Sequence, residues 1–215
     1  SMGGMRALEW AVGFPERLDR LVVVAVGARA TAEQIAWCSI QNRIIEADPK
    51  WRGGDYYDAA PGDGPTDGMT IARAIGTVTY RTEAEFEDRF GRDHQGDERP
   101  LEGGRYAIES YLDHHGRKLA ERFDANSYRV LSDAMNHHDV GRGRGSVAEA
   151  LRRITARTTV AGIDSDRLYP LRLQEELAAD IPGAADLVVI SSPAGHDGFL
   201  TETDAVGTLL TSALS

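Results

Sequence analysis

The chain has 215 residues, 41% hydrophobic and 27% charged, the profile of a globular protein with one large domain or two small ones. Its formal net charge of −10 argues against a surface that displaces counterions from nucleic acid or docks on anionic lipid, and no apolar run approaches the roughly 20 residues of a membrane span. No charged-then-apolar leader opens the sequence and the single cysteine, Cys38, cannot form an internal disulfide, so a reducing, cytoplasmic compartment is expected.

Apolar Met5, Leu8, Ala11 and Val12 recur at helical spacing, and Phe14-Pro15 ends that pattern. The continuous run Leu21–Val26 reads as a buried parallel strand. About 130 residues then separate it from the next such run. A βαβ crossover needs only a dozen or so, so an inserted module is expected. Within it, 32–48, 68–80, 83–90, 107–123 and 127–136 carry helical patterns, with a short return helix at 146–153. Residues 55–67, rich in Gly, Pro and Asp, read as a loop; 91–104 reads as a charged, mobile segment, and 141–145 (Gly-Arg-Gly-Arg-Gly) as a flexible connection. Two strands follow, 158–163 and 186–190, separated by a polar turn at 164–170 and a helix over 171–179, before a terminal helix.

Ser1-Met2-Gly3 supplies the S-x-G half of a G-x-S-x-G nucleophile elbow, in which small residues let the backbones around a serine pass closely. A cloning remnant is the plain alternative for Ser-Met. Downstream, Asp166 lies in the turn after one strand and His196 in the segment after the next. Ser…Asp…His, each at a strand's C-terminal end, is the order of the α/β-hydrolases. Taken singly, Asp166 reads equally well as a helix cap and His196 as a turn histidine. The pairs His114-His115 and His137-His138 read as solvated helix faces rather than metal ligands, because helical neighbours point about 100° apart. Trp10, Trp51 and the tyrosines read as packing groups, and Cys38 as a helix residue without chemistry.

These residues resemble the homoserine O-acetyltransferases. The resemblance is carried by Ser-Met-Gly-Gly-Met-Arg-Ala-Leu-Glu-Trp-Ala at 1–11, residues 47–54 around Asp48-Pro49-Lys50-Trp51, and Thr79-Tyr80-Arg81. Glu109-Ser110-Tyr111-Leu112, Arg122-Phe123-Asp124-Ala125-Asn126-Ser127-Tyr128, Asp166-Arg167-Leu168-Tyr169-Pro170 and Gly195-His196-Asp197 follow in family order, so that it spans essentially the whole chain. It implies an α/β fold class: the C-terminal part of an α/β-hydrolase fold, a mostly parallel sheet with a large helical lid. The core would comprise 1–29 and 154–215, without the strands that precede the elbow, and the lid 30–153.

The implied activity is ping-pong transfer of an acetyl group from acetyl-CoA to L-homoserine, in methionine biosynthesis. Acetyl-CoA is then a substrate, no cofactor or metal is permanently bound, and a homodimer forms through the lid. Ser1 would be the nucleophile, His196 the base, Asp166 its orienting acid and the Met2 N–H one oxyanion donor. Arg73 would hold the substrate carboxylate and Asp197 its ammonium, with Arg81 an open rival to Arg73. Because strands and a second oxyanion donor would lie upstream, the 215-residue chain alone is expected to be poorly stable and inactive. A serine esterase of the same fold and a homoserine succinyltransferase are the alternatives, an N-terminal-nucleophile enzyme and a noncatalytic helical module the remoter ones.

Overall fold

A computed structural model of the protein describes residues 1–60 and 62–215, so the loop expected over 55–67 contains one position, 61, outside the described residues. The chain forms two compact units. The first takes in Ser1–Thr31, Tyr80–Thr82 and His137–Ser215; the second takes in Ala32–Thr79 and Glu83–Asn136. Tyr80–Thr82 and residues 137–153, assigned to the insertion by the sequence pattern, thus fall in the first unit.

The first unit is built on three parallel strands, β1 (Arg20–Val24), β2 (Arg157–Ile163) and β3 (Val188–Ile190), in that spatial order. Val23 pairs with Val160 and Ala161 with Val188. Among the described residues only β2 has a strand on both sides, and Val188 and Val189 of β3 are substantially exposed. β1 stops two residues short of the expected end. Ala25 still donates to the Ala161 carbonyl, but its φ of +50° turns the chain out of the extended region. β3 is likewise shorter than its apolar pattern.

Helix α1 (Met2–Gly13) begins three residues before the first apolar position of its pattern and buries Met5, Leu8, Ala11 and Val12, one face at three- and four-residue spacing. Trp10 is on the other side of that helix, 52% exposed against Phe14, and so is not the buried packing group its size suggests. On the sheet, Ala25, Ala161, Ile163 and Ile190 pack with Leu209 of the C-terminal helix. Behind β2 the fit is close. A Cβ on Gly162 would stand 2.6 Å from Leu171 and 2.7 Å from the side chain of Gln174 on α8 (Arg172–Asp180), and the fully buried Gln174 amide donates to the Val26 carbonyl at 2.8 Å.

Residues 137–140 clasp the chain leaving β1. Ala30 N–H donates to the His138 carbonyl, and Val140 N–H to that of Ala28. The buried His138 side chain completes the clasp by donating from Nε2 to the Gly27 carbonyl at 3.0 Å. The expected solvated helix face is therefore corrected: His138 lies beyond the helix, in a turn where the backbone supplies its acceptor. Burial pushes its pKa below the ordinary value, opposed by the Gly27 carbonyl. The unfolded chain consequently takes up this proton first as pH falls, so His138 contributes stability above about pH 6.5 that is lost below it. Thermal melts between pH 7.5 and 5 should fall less steeply for His138→Gln than for the parent; parallel curves would refute this linkage.

The Gly/Arg run at 141–145 is pinned rather than flexible. Arg144 reaches Glu9 and the Val140 carbonyl, each at 2.9 Å, and Arg142 the His137 carbonyl. Ser146 then caps α7 (Val147–Leu151) through the Glu149 N–H.

The second unit comprises α2 (Ala32–Ala47), α3 (Thr66–Tyr80), α4 (Glu83–Phe90), α5 (Ala107–Ala120) and α6 (Ala125–Asn136), with Ile45, Met69, Ala72 and Ala125 at its centre. Its distinctive sequence blocks are caps and ties. Asp48 accepts from Lys50 N–H with one oxygen and from Gly68 N–H with the other, so one carboxylate opens the turn after α2 and the start of α3. Asp124 caps α6 through Ser127 N–H and receives the Tyr56 and Tyr57 hydroxyls, while Asn126 bridges the Trp51 indole and the Gly54 carbonyl. The 91–104 segment, read as mobile, is held by the Glu98–Arg105 pair and by Gln95 N–H on the Arg105 carbonyl. Cys38 lies half-buried on α2, its thiol pushed up by burial and by Asp133. Among the described residues, no three His, Cys, Asp or Glu side chains gather as a metal site would require.

Candidate active site

Each expected triad residue sits where a strand gives way to a turn or where a helix begins. Ser1 occupies the N-cap position of α1, yet its side chain makes no capping bond. Its Oγ lies instead 3.1 Å from His196 Nε2. Serine at a helix start ordinarily spends its hydroxyl on the N2 or N3 amide; here the hydroxyl is committed to an imidazole 195 residues away. Of the two glycines after it, Gly4 is the crowded one, where a Cβ would meet Val26 at 3.0 Å. A Cβ on Gly3 would meet nothing within 4 Å among the described residues, which corrects the reading of Gly3 as the close-approach position.

Asp166, in the turn after β2, has a fully buried side chain with both oxygens engaged. Oδ1 accepts from the Leu168 and Tyr169 N–H groups at 2.9 and 2.8 Å, and Oδ2 lies 2.6 Å from His196 Nδ1. A carboxylate can only accept, so Nδ1 carries the hydrogen and Nε2 is left as the acceptor for the Ser1 hydroxyl. The cap-like reading of Asp166 and its triad reading therefore hold together, one on each oxygen.

His196 is buried, in a short helical turn (Gly195–Asp197) ahead of α9 (Gly198–Thr201). Tyr169 stacks on its ring at 4.9 Å and Phe199 meets it edge-on at 5.3 Å. The turn is held to the acid loop by Ser165, whose Oγ donates to the Ser192 carbonyl and accepts from Gly195 N–H at 3.1 Å. Asp164 adds a second stitch by accepting from Ser192 N–H; hydrogen bonds from Ser191 and Ser192 hold its carboxyl below the usual range. Ser192 in turn donates to Glu202 at 2.8 Å, just before the C-terminal helix α10 (Thr203–Leu214). Neither Ser165 nor Ser192 stands out in the sequence, because a serine that bonds a neighbouring loop's backbone leaves no spacing signature.

The remaining expected residues are found as follows. Met2 is the first residue of α1, and N–H groups at a helix start have no acceptor within the helix, which leaves them available to an oxyanion. Asp197 adjoins His196 and pairs with Arg81 Nε at 2.9 Å, both side chains about one-fifth exposed. Arg73 lies in the middle of α3, within the second unit.

The arrangement is that of a serine activated by an imidazole that a buried carboxylate orients, beside a helix N-terminus: the parts of nucleophilic acyl transfer. The homoserine O-acetyltransferase of Thermobifida fusca (strain YX) is 60% identical over all 215 residues, and the chain spans 56% of that relative's length. Among solved structures, a homoserine O-acetyltransferase from Bacillus anthracis superposes with a TM-score of 0.87 at 23% identity, over 99% of this chain and 57% of that one. An acetylester hydrolase from Corynebacterium glutamicum superposes with a TM-score of 0.84 at 27% identity, over 99% of this chain and 59% of that one. The chain thus spans little more than half the length of the relatives it matches. Residues 1–203 match the family model of the alpha/beta hydrolase fold, and with its parallel sheet and strand-end triad the chain belongs to that family.

Proposed function

We propose that this chain carries the nucleophile, base and orienting acid of a homoserine O-acetyltransferase. The Ser1–His196–Asp166 line supports acyl chemistry, and the 60% identity to the Thermobifida fusca enzyme supports the choice of reaction. In the first half-reaction the Ser1 hydroxyl gives its proton to His196 Nε2 as Oγ bonds to the thioester carbon of acetyl-CoA. The tetrahedral oxyanion is held in part by the Met2 N–H; its collapse breaks the C–S bond, and the imidazolium returns the proton to the departing thiolate. In the second, the L-homoserine hydroxyl gives its proton to the same nitrogen and its oxygen takes the acetyl group, restoring Ser1 Oγ–H. Asp166 keeps Nδ1 protonated and stabilises the imidazolium throughout.

Homoserine is a zwitterion, so its site needs both charges. Arg73 is the candidate two-pronged donor for the carboxylate and Asp197 the candidate anion for the ammonium. The reading includes a cytoplasmic homodimer. Exposed Ile35, Ile40 and Val130 on the helical unit favour a partner there, and no helix among the described residues is long and apolar enough to cross a membrane.

Intact-mass measurement tests the proposal. On mixing with acetyl-CoA the full-length protein should gain about 42 Da at Ser1, and L-homoserine should discharge the adduct. Arg73→Ala should leave the gain in place but raise the homoserine KM roughly tenfold or more, the loss expected for a charged contact. The similarity to the Corynebacterium glutamicum acetylester hydrolase supports an esterase as the second reading. In that case water discharges the adduct as fast as homoserine does, and Arg73→Ala changes nothing.

A further inference from the structure

Tyr80 ends α3, and Arg81 and Thr82 link it to α4, yet all three pack with the first unit, and each engages the loop that carries His196. Thr82 Oγ1 donates to the Pro193 carbonyl at 2.6 Å. The Tyr80 carbonyl backs directly onto Gly195, and its ring lies 6.0 Å from the imidazole. Arg81 holds Asp197, the residue after the histidine, at 2.9 Å. Thr82 and Tyr80 thus fix the loop by neutral contacts, whereas Arg81 also brings a charge to it.

Among the described residues, His196 meets Asp166 at Nδ1, Ser1 at Nε2 and the Tyr80, Tyr169 and Phe199 rings; the buried Ser1 amino group, which Asp166 attracts, adds a cation at the nucleophile, and the Arg81–Asp197 pair follows His196 in the chain. Asp164 and Glu202 act on the loop further back, through Ser192. Without Arg81, the Asp197 carboxylate would stand one residue from the imidazole as a second, uncompensated anion. A base flanked by two anions holds its proton and stops being a base at the pH where it works.

We infer that Arg81 is a positioning residue for the base: by pairing with Asp197 it fixes the histidine loop and balances the charge of the carboxylate that follows His196 in the chain. This rests on the acyl-transfer reading of the triad. It assigns Arg81 a role distinct from substrate-carboxylate recognition, the role for which sequence spacing leaves it a rival of Arg73.

The test follows Ser1 acetylation by p-nitrophenyl acetate in the intact protein, a step that needs no homoserine, across pH at low ionic strength. Arg81→Gln should move the acid limb of the rate profile up by about half a pH unit, because an unpaired Asp197 favours the imidazolium. Asp197→Asn, which strands the arginine cation, should move the limb down. The double variant and Arg81→Lys, which restore charge balance, should each bring it back to the parental position. Limbs that coincide in all four variants, whatever happens to the rates, would show Arg81 to be a purely structural contact and overturn the inference. A parent protein that forms no acetyl-serine overturns the triad reading itself and the inference with it, an outcome visible before any variant is made.

Discussion

Ser1→Ala is expected to abolish acetyl-enzyme formation and to lower acetyl transfer by about 10⁴-fold or more, the scale on which triad nucleophiles fail. The fold should hardly register the change. The Ser1 side chain does not cap α1, the first turn is closed by Met5 N–H on the Ser1 carbonyl, and that backbone bond survives in alanine. A melting midpoint within a degree or two of the parent, on the scale of a surface substitution, should therefore accompany a dead enzyme. Paired melts and acetylation assays check both halves. Retention of more than about 1% of the transfer rate would remove Ser1 from the nucleophile's role, since uncatalysed routes contribute far less.

Gly195→Ala should instead damage stability and activity together. Gly195 has φ +67°, a conformation in which alanine costs about 1–2 kcal/mol. The added Cβ would lie 2.6 Å from the Tyr80 carbonyl oxygen, a backbone atom that cannot rotate away. Loop or segment must shift, bringing the total to roughly 2–4 kcal/mol, typical of the severe end of point substitutions. Because Gly195 N–H is also the donor to Ser165, the shift carries His196 with it. A displacement near 1 Å costs about 100-fold in rate. Gly3→Ala is the control, since nothing within 4 Å meets its Cβ among the described residues. Urea titration and acetylation rates distinguish the outcomes; a Gly195→Ala protein as active and stable as Gly3→Ala would contradict the assigned geometry.

The strands and long helices were legible because their signals are periodic. Met5, Leu8, Ala11 and Val12 announce one face of α1, and the β-branched runs at 21–26 and 158–163 announce buried strands whose true ends lie within a few residues. Strand ends were misread where backbone geometry decides, as at Ala25, because a positive φ leaves no mark in hydropathy. The candidate site was legible as an order, serine, acid, histidine at successive strand ends, but its supports were not. Ser165 and Tyr169 act across loops distant in sequence, and their types are common in any turn. His138 was misread for the same reason: its acceptor is a backbone carbonyl 111 residues away. The blocks that make the family resemblance specific, Asp48 to Trp51 and Arg122 to Tyr128, include helix caps and loop ties of the helical unit.

The ring of His196 is wedged between Tyr169 and Phe199 with Nδ1 fastened to Asp166. An imidazole held this way cannot turn over between one chemical step and the next, so a single nitrogen, Nε2, must serve every proton transfer in the proposed cycle. The departing thiol and the arriving alcohol therefore need the same small volume beside Ser1, one after the other. On this reading the alternation of donor and acceptor is a queue at one doorway, imposed by the packing around the histidine.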